Sequence, residues 1–272
     1  MQPAIVSREE WIEARKTLLA KEKEHSRRGD EIAAARRALP WVRIEKEYVF
    51  DTERGRRTLA ELFDGRSQLM TYHFMFAPGW EAGCKSCSFL ADHFGGANLH
   101  LAHHDVTLVA VSLAPLAQSL AYKRRMNWQF DWVSSHGSDF NYDFHVSVRD
   151  EDKPTGRRYY NFRDTESSGG DAPGISVFHR GEDGAIHHTY SAYARGLDVL
   201  VGAHQFLDMT PNGRNETRIM DWVRRHDEYE AAPQVRHSLR KAVHLRPRPH
   251  CRHTPPVPRA RRPVRAHDSH CR

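Results

Sequence analysis

Cys84 and Cys87 are two thiols three positions apart, in the run Gly83-Cys84-Lys85-Ser86-Cys87-Ser88-Phe89. On a helix, positions i and i+3 share a face, so the two sulfurs can meet. That spacing suits a disulfide that opens and closes. The first turn of a helix adds unpaired N–H groups and the positive end of the helix dipole, both of which favour a thiolate. Cys84, first in the motif and nearest the helix mouth, is the candidate nucleophile, and Cys87, a turn deeper, is the candidate resolving thiol. Lys85 offers a cation that could lower the pKa of Cys84. Glu81 and Asp92 are candidate proton acceptors for the buried thiol, and Trp80 is placed to form a lip over the disulfide. A second chemistry stays open. Four-ligand zinc sites need a second close pair of ligands, and His100 with His103, or His103 with His104, could supply one beside Cys84 and Cys87. His73 and His93 lie near in sequence, and His103-His104-Asp105 also reads as exposed loop before a strand.

The elements that must position this pair are legible around it. Gln68–Phe76 is apolar enough to be buried on both faces, as parallel strands are, and Ala77-Pro78-Gly79 is a turn leading to the motif. The motif helix is predicted from Cys84 to about Phe94, with Gly95-Gly96 as its stop. A short helix over 98–104, a strand over 106–112, a helix over 115–126 and a strand over 130–134 follow, so strand and helix alternate as in right-handed βαβ units. Ser138-Asp139 reads as a helix cap; a calcium loop over 138–143 lacks the EF-hand spacing. Residues 149–172 read as a polar loop or short hairpin, and 175–178 with 186–190 as two strands of a hairpin turned by His179–Gly184. Helical stretches are predicted over 197–206 and 218–228. Upstream, Ser7-Arg8-Glu9-Glu10 is a capping box. A helix from about Arg8 to about Arg28 and another over 30–39 form a charged arm. Tyr190, Tyr193, Arg195 and Asp198 form a polar-aromatic cluster; Arg195 could bind an acidic substrate group or simply pair with Asp198.

The chain has 272 residues, four of them Cys, and a formal charge of +6. The charge is uneven. Residues 231–272 hold eleven Lys and Arg against one Asp, so residues 1–230, with 30 basic and 34 acidic side chains, are mildly acidic. A nucleic-acid partner would rest wholly on that tail and is not predicted. No run of eighteen apolar residues predicts a membrane span, and the N-terminus does not read as a secretory signal; a cytoplasmic protein is expected. Two close cysteines outside a disulfide framework point to redox or metal chemistry. The predicted organisation is an N-terminal helical arm over 1–45, a domain over 46–229 with an insertion at about 149–172, and a basic Arg/Pro/His-rich tail over 230–272, disordered because it cannot bury a core.

The order of strand, C-x-x-C helix, strand, helix, strand, hairpin and final helix resembles thioredoxin topology, an α/β fold with a central mixed sheet flanked by helices. Three motifs over residues 5–229 are similar to the DUF899 family of uncharacterised bacterial thioredoxin-like proteins. They are Trp80-Glu81-x-Gly83-Cys84-x-Ser86-Cys87-Ser88-Phe89, Trp132-Val133-Ser134-Ser135-x-Gly137-Ser138-Asp139-Phe140-Asn141-Tyr142-Asp143, and His188-Thr189-Tyr190-Ser191-x-Tyr193-Ala194-Arg195-Gly196-Leu197-Asp198. The resemblance implies a thioredoxin- or peroxiredoxin-like fold and, at Pro173, a cis peptide beside Cys84. The motif departs from thioredoxin in its Lys85-Ser86 interior, and from peroxiredoxins in having Glu81 where they hold a Thr. The function expected is a thiol–disulfide oxidoreductase or thiol-dependent reductase without a cofactor. An external thiol reductant or thioredoxin-type system would restore it, and its substrate would be a small-molecule or protein disulfide. The alternative is a non-enzymatic thioredoxin-like binding protein or metal carrier using Cys84, Cys87 and nearby His. The charged N-terminal helices invite a homodimer.

Overall fold

The computed structural model describes residues 3–167 and 170–230. The basic tail, with Cys251 and Cys271, lies outside the described residues. The chain opens with α1 (Arg8–Arg37), a helix of 30 residues. Its capping box forms as the sequence predicts: the Glu10 N–H donates to Ser7 Oγ at 3.2 Å, and Glu10 Oε2 accepts from the Ser7 N–H at 2.9 Å. The predicted break near Gly29 does not occur. An interior glycine costs only about 1 kcal/mol against alanine, and an Arg28–Glu31 ion pair of 2.8 Å spans the position. No residue of α1 is buried.

The body is built on one mixed sheet. Its strands are β1 (Val42–Arg43), β2 (Val49–Thr52), β3 (Gly55–Thr58), β4 (Gln68–His73), β5 (Val106–Ser112), β6 (Asp131–Ser134), β9 (Gly174–Arg180) and β10 (Ile186–Tyr193). A separate hairpin of β7 (Arg157–Tyr160) and β8 (Arg163–Glu166) lies within residues 149–172, where the sequence reads as a loop or short hairpin. The order across the sheet is β1-β10-β9-β4-β5-β6-β2-β3. β4, β5 and β6 run parallel, while β9 is antiparallel to β4 and to β10. The four strands β10-β9-β4-β5, with β9 alone reversed, are the thioredoxin arrangement. The helices are α2 (Lys85–Ala91), α3 (Phe94–His103), α4 (Leu116–Arg125), α5 (Phe140–Asp143) and α6 (Gly202–Asp208).

Alternation along the strands divides the core. Tyr72, Leu108, Ala110, Trp132 and Ile175 face one layer with Phe89, Leu90 and Tyr122; Leu69, Val109, Val111, Val133 and Phe178 face the other with Phe50, Phe63 and Phe140. A strand places successive side chains on opposite faces, so β4 serves both layers. It is buried on both, as its composition predicts.

Three local expectations are corrected. The motif helix ends at Ala91 rather than Phe94, and Gly95-Gly96 lies inside α3, not at a stop; buried Phe94 anchors the new helix start. Residues 218–228 are turns rather than a helix, apart from one 3₁₀ turn at His226–Glu228. There the Asp221 carboxylate accepts from the Thr217 N–H and hydroxyl and the Arg218 N–H, which competes with a helical ladder. No cis peptide occurs among the described residues, so Ala172–Pro173 is trans. The Ala172 N–H bonds the Val146 carbonyl at 2.7 Å and the Pro173 carbonyl accepts from Tyr160 at 2.7 Å, which holds the segment extended.

The two layers are separable. Phe140→Ala, in the layer away from the cysteines, is expected to cost about 3–5 kcal/mol in urea unfolding while leaving the Cys84 alkylation rate unchanged. A changed alkylation rate in the folded variant would show that the layers are coupled.

Candidate functional site

Cys84 is not inside α2 but caps it, with an extended backbone of φ −53° and ψ 132°. Its position is fixed from three sides. The Cys84 N–H donates to the Met75 carbonyl at 3.1 Å, and its own carbonyl accepts from the Ser88 N–H at 2.9 Å and Ser88 Oγ at 2.9 Å. The residue before it passes through a gap that admits only glycine. A Cβ at Gly83 would meet Phe74 Cε1 at 2.5 Å and Tyr122 Cε1 at 2.8 Å. Ser88 Oγ in turn meets the Tyr122 hydroxyl at 2.8 Å, tying α2 to α4.

The two sulfurs, both reduced, sit in contrasting surroundings. Cys84 is partly exposed and Cys87 buried, at 2 % exposure. A hydrogen bond from the Cys87 thiol, helped by the N–H groups of Cys87 and Ser86 and the charge of Arg225, outweighs burial and lowers Cys84 from 9.0 to about 6. Cys87 moves the other way: burial, and its role as donor to Cys84, push its thiol well above the usual range. Tyr72 on β4 donates a hydrogen bond to Cys87, which partly offsets that rise. Its own ionisation is pushed up by burial, so it stays a donor. A thiolate in front of a thiol that retains its proton is the division of labour that disulfide exchange requires.

The cation at the site is Arg225, and no periodic signal marks it in the sequence. Its Nε and Nη2 both donate to the Gly83 carbonyl, at 3.0 and 2.7 Å, and its Nη1 to Glu228 at 2.8 Å. The surrounding segment is tied down twice more. His226 Nδ1 bonds Asp92 at 2.7 Å, and Arg125 of α4 pairs with Asp227 at 2.7 Å. Lys85 is not among the leading influences on Cys84. Asp92 also accepts from Trp128 Nε1 at 2.7 Å, which makes it a fastening between elements rather than a base for a thiol.

Both cysteines open onto a cavity of about 230 Å³ whose wall includes Pro173, Arg195 and Asp198. Pro173 shares the cavity wall with Cys84, and its peptide is trans rather than the cis form expected. Arg195 bonds Asp198 at 3.0 Å, the pairing that the sequence left open as an alternative. Tyr190 and Tyr193 are not in the cavity wall. Arg36 of α1 stacks over Tyr190 at 5.5 Å, and the Tyr193 hydroxyl donates to the Phe144 carbonyl at 3.1 Å. Trp80 and Glu81 are exposed and outside the wall. Tyr160, carried by the inserted hairpin, is a second residue that sequence reasoning missed. Its hydroxyl donates to Pro173 and accepts from the Ala194 N–H at 2.9 Å, joining two parts of the wall.

The metal alternative is not assembled. Among the described residues no group of three or more His, Cys, Asp or Glu is disposed to hold a metal ion. His100, His103 and His104 are exposed at the far end of α3. Asp105 accepts from the backbone and hydroxyl of Ser67 instead. His93 joins α2 to α6 by accepting from the Ala203 N–H at 3.0 Å. His73 is buried at 2.9 Å from Ser176, and burial lowers it to about 3, so it stays neutral. Asp139 pairs with Lys46 at 2.7 Å and Arg149 at 2.8 Å, and Asp143 with Lys46 at 2.7 Å, so both carboxylates already face cationic side chains. Among the described residues no helix is long and apolar enough to cross a membrane.

The family model described as a bacterial protein of unknown function, DUF899, matches residues 1–229. A search of curated proteins finds no match. Solved structures similar to the chain include the peroxidoxin BcpB of Mycobacterium tuberculosis, at 11 % identity and a TM-score of 0.37, covering 60 % of this chain and 94 % of that one. A peroxiredoxin Q of Xanthomonas campestris matches at 11 % identity and a TM-score of 0.37, covering 57 % and 87 %. The mitochondrial 2-Cys peroxiredoxin of Plasmodium falciparum matches at 10 % identity and a TM-score of 0.35, covering 64 % and 95 %.

Alkylation reads the electrostatics directly. Because the thiolate is the reactive form, the Cys84 rate with iodoacetamide should rise through a midpoint near pH 6 and then level off. Arg225→Ala should move that midpoint up, and Cys87→Ala should move it further because the Cys87 hydrogen bond is the larger influence, while Lys85→Ala leaves it in place. A wild-type midpoint at the ordinary thiol value of about 8.5 would contradict the geometry.

Proposed function

We propose that this chain, which belongs to the DUF899 family of bacterial proteins, is a thiol–disulfide oxidoreductase, a thiol-dependent reductase whose reacting pair is Cys84 and Cys87. The observation that carries this reading is the placement of the two thiols, Cys84 partly exposed as the N-cap of α2 and Cys87 buried one turn inside it. Cys84, partly exposed, is lowered to about 6, while buried Cys87 is raised. At neutral pH the pair therefore holds one proton, on the inner sulfur.

The reaction follows from that arrangement. The Cys84 thiolate attacks one sulfur of a substrate disulfide, forming a mixed disulfide and expelling a thiolate. The negative charge that Cys87 stabilised by donating to Cys84 is then gone. Cys87 gives up its proton to a departing thiolate, with the Tyr72 hydroxyl hydrogen-bonded to its sulfur. Its sulfur attacks Cys84 Sγ, releasing the second half of the substrate. Two electrons pass to the substrate, and an external dithiol of thioredoxin type restores the pair. Stabilising the thiolate stabilises the reduced form, which makes the disulfide a stronger oxidant than a pair with ordinary pKa values. Arg225 acts by position, fixing the Gly83 carbonyl and placing its charge beside Cys84.

Equilibration of the full chain in glutathione redox buffers, followed by peptide mass spectrometry, tests the reading. The wild type should form a reversible Cys84–Cys87 disulfide. Cys87→Ser should accumulate a glutathione adduct on Cys84, and Cys84→Ser should form neither species. Absence of a reversible 84–87 disulfide at every buffer ratio would sink the proposal.

A further inference from the structure

The cavity over Cys84 has a composition that the exchange reaction alone does not require. Its wall is mostly apolar and includes Met75, Leu90, Leu197, Val201, Ile219 and Met220. Apart from the Cys84 thiolate itself, the charged lining residues are Arg195 and Asp198, and they pair with each other across 2.9 Å. An anionic group entering this space would meet the Cys84 thiolate, and a strongly polar one would lose water against a mostly apolar lining, a cost that apolar groups avoid. At about 30 Å³ for each water-sized group, 230 Å³ has room for on the order of seven methylene-sized groups.

The wall is also held in a conformation that an unspecified core would not adopt. Ala194 and Met220, both non-glycine, have positive φ of 47° and 58°. Each is pinned by a particular bond: the Ala194 N–H donates to the Tyr160 hydroxyl at 2.9 Å, and the Met220 N–H donates to Glu216 Oε2 at 2.7 Å. Left-handed backbone at ordinary residues persists only where its surroundings enforce it, and it concentrates at ligand-binding walls. Two such residues, Ala194 and Met220, border the cavity that Cys84 and Cys87 also line.

We infer that this cavity is the substrate pocket and that it selects a small, uncharged, aliphatic disulfide. The inference rests on the reading of Cys84 and Cys87 as a redox pair. In the first step the Cys84 thiolate attacks R–S–S–R, the S–S bond breaks, and RS⁻ leaves while the other R group stays among the aliphatic side chains. In the second, the Cys87 sulfur attacks Cys84 Sγ and the second RS leaves, taking the Cys87 proton. The dithiol loses two electrons, and the substrate becomes one RSH and one RS⁻. Ile219, at the cavity mouth with 60 % exposure, and Met220 beside it set the preference for apolar groups.

The test is a comparison of rates on the reduced full chain at pH 7, with Cys84 oxidation followed by quenched mass spectrometry. The probes are dipropyl disulfide, glutathione disulfide and insulin, each rate divided by that of 2-mercaptoethanol thiolate with the same probe. Dipropyl disulfide should lead glutathione disulfide by at least about tenfold, the discrimination that a methylene-scale apolar contact provides. Ile219→Glu, a substitution at a largely exposed position, should bring that ratio close to one. Equal normalised rates in the wild type would overturn the selective pocket while leaving the redox pair standing. A lead for insulin would assign the site to protein disulfides and overturn the inference as well. Failure of all three to oxidise Cys84 would instead overturn the redox reading on which this rests.

Discussion

The site depends on one close passage of the backbone. Gly83 threads between Phe74 and Tyr122 with no room for a Cβ, and its carbonyl is gripped by two nitrogens of Arg225. Everything that makes Cys84 a nucleophile follows from that placement. Phe74 continues β4, Tyr122 belongs to α4, and Arg225 belongs to the segment after α6, so three parts of the chain converge on one peptide. The sulfur of the next residue is thereby delivered to the mouth of α2 with its partner one turn inside. Shifting the passage would separate the thiolate from both its hydrogen bonds and its cation.

The electrostatic consequence is a proton shared unequally. Burial works against ionisation at both sulfurs, but Cys84 has two backbone N–H groups, a thiol donor and Arg225 to offset it. Cys87 has Tyr72 and the backbone N–H of the Met75 region as its counterweights and remains protonated. The segment over 218–228 is therefore part of the site rather than an appendage. It carries the cation, closes the cavity with Ile219 and Met220, and is fastened through Asp92 and Arg125 to the helices on either side. The inserted hairpin contributes through Tyr160, which fixes Pro173 and Ala194 together.

Much of this frame was legible in the sequence because it rests on periodicity. β4 and β5 show as apolar runs, and they are buried on both faces; the capping box at Ser7 and the C-x-x-C at a helix mouth are local signals that survive folding. Punctuation by glycine was less reliable. Gly29 and Gly95-Gly96 read as breaks, yet an exposed helix tolerates them once neighbouring ion pairs or a buried Phe94 hold the turn. The cis peptide expected at Pro173 rests on a resemblance alone, with no local signal behind it, and the peptide is trans. Arg225 and Tyr160 were invisible for a different reason. Each acts across a long sequence separation from a stretch without periodic pattern, and only the folded chain brings them to the thiols.

The central claim is that one sulfur is reactive and its partner is shielded. Pulse labelling of the reduced full chain at pH 7 with light iodoacetamide, followed by unfolding and heavy iodoacetamide, measures this in one experiment. The account predicts light label on Cys84 and heavy label on Cys87. Equal labelling of the two thiols, or light label confined to Cys87, would contradict it.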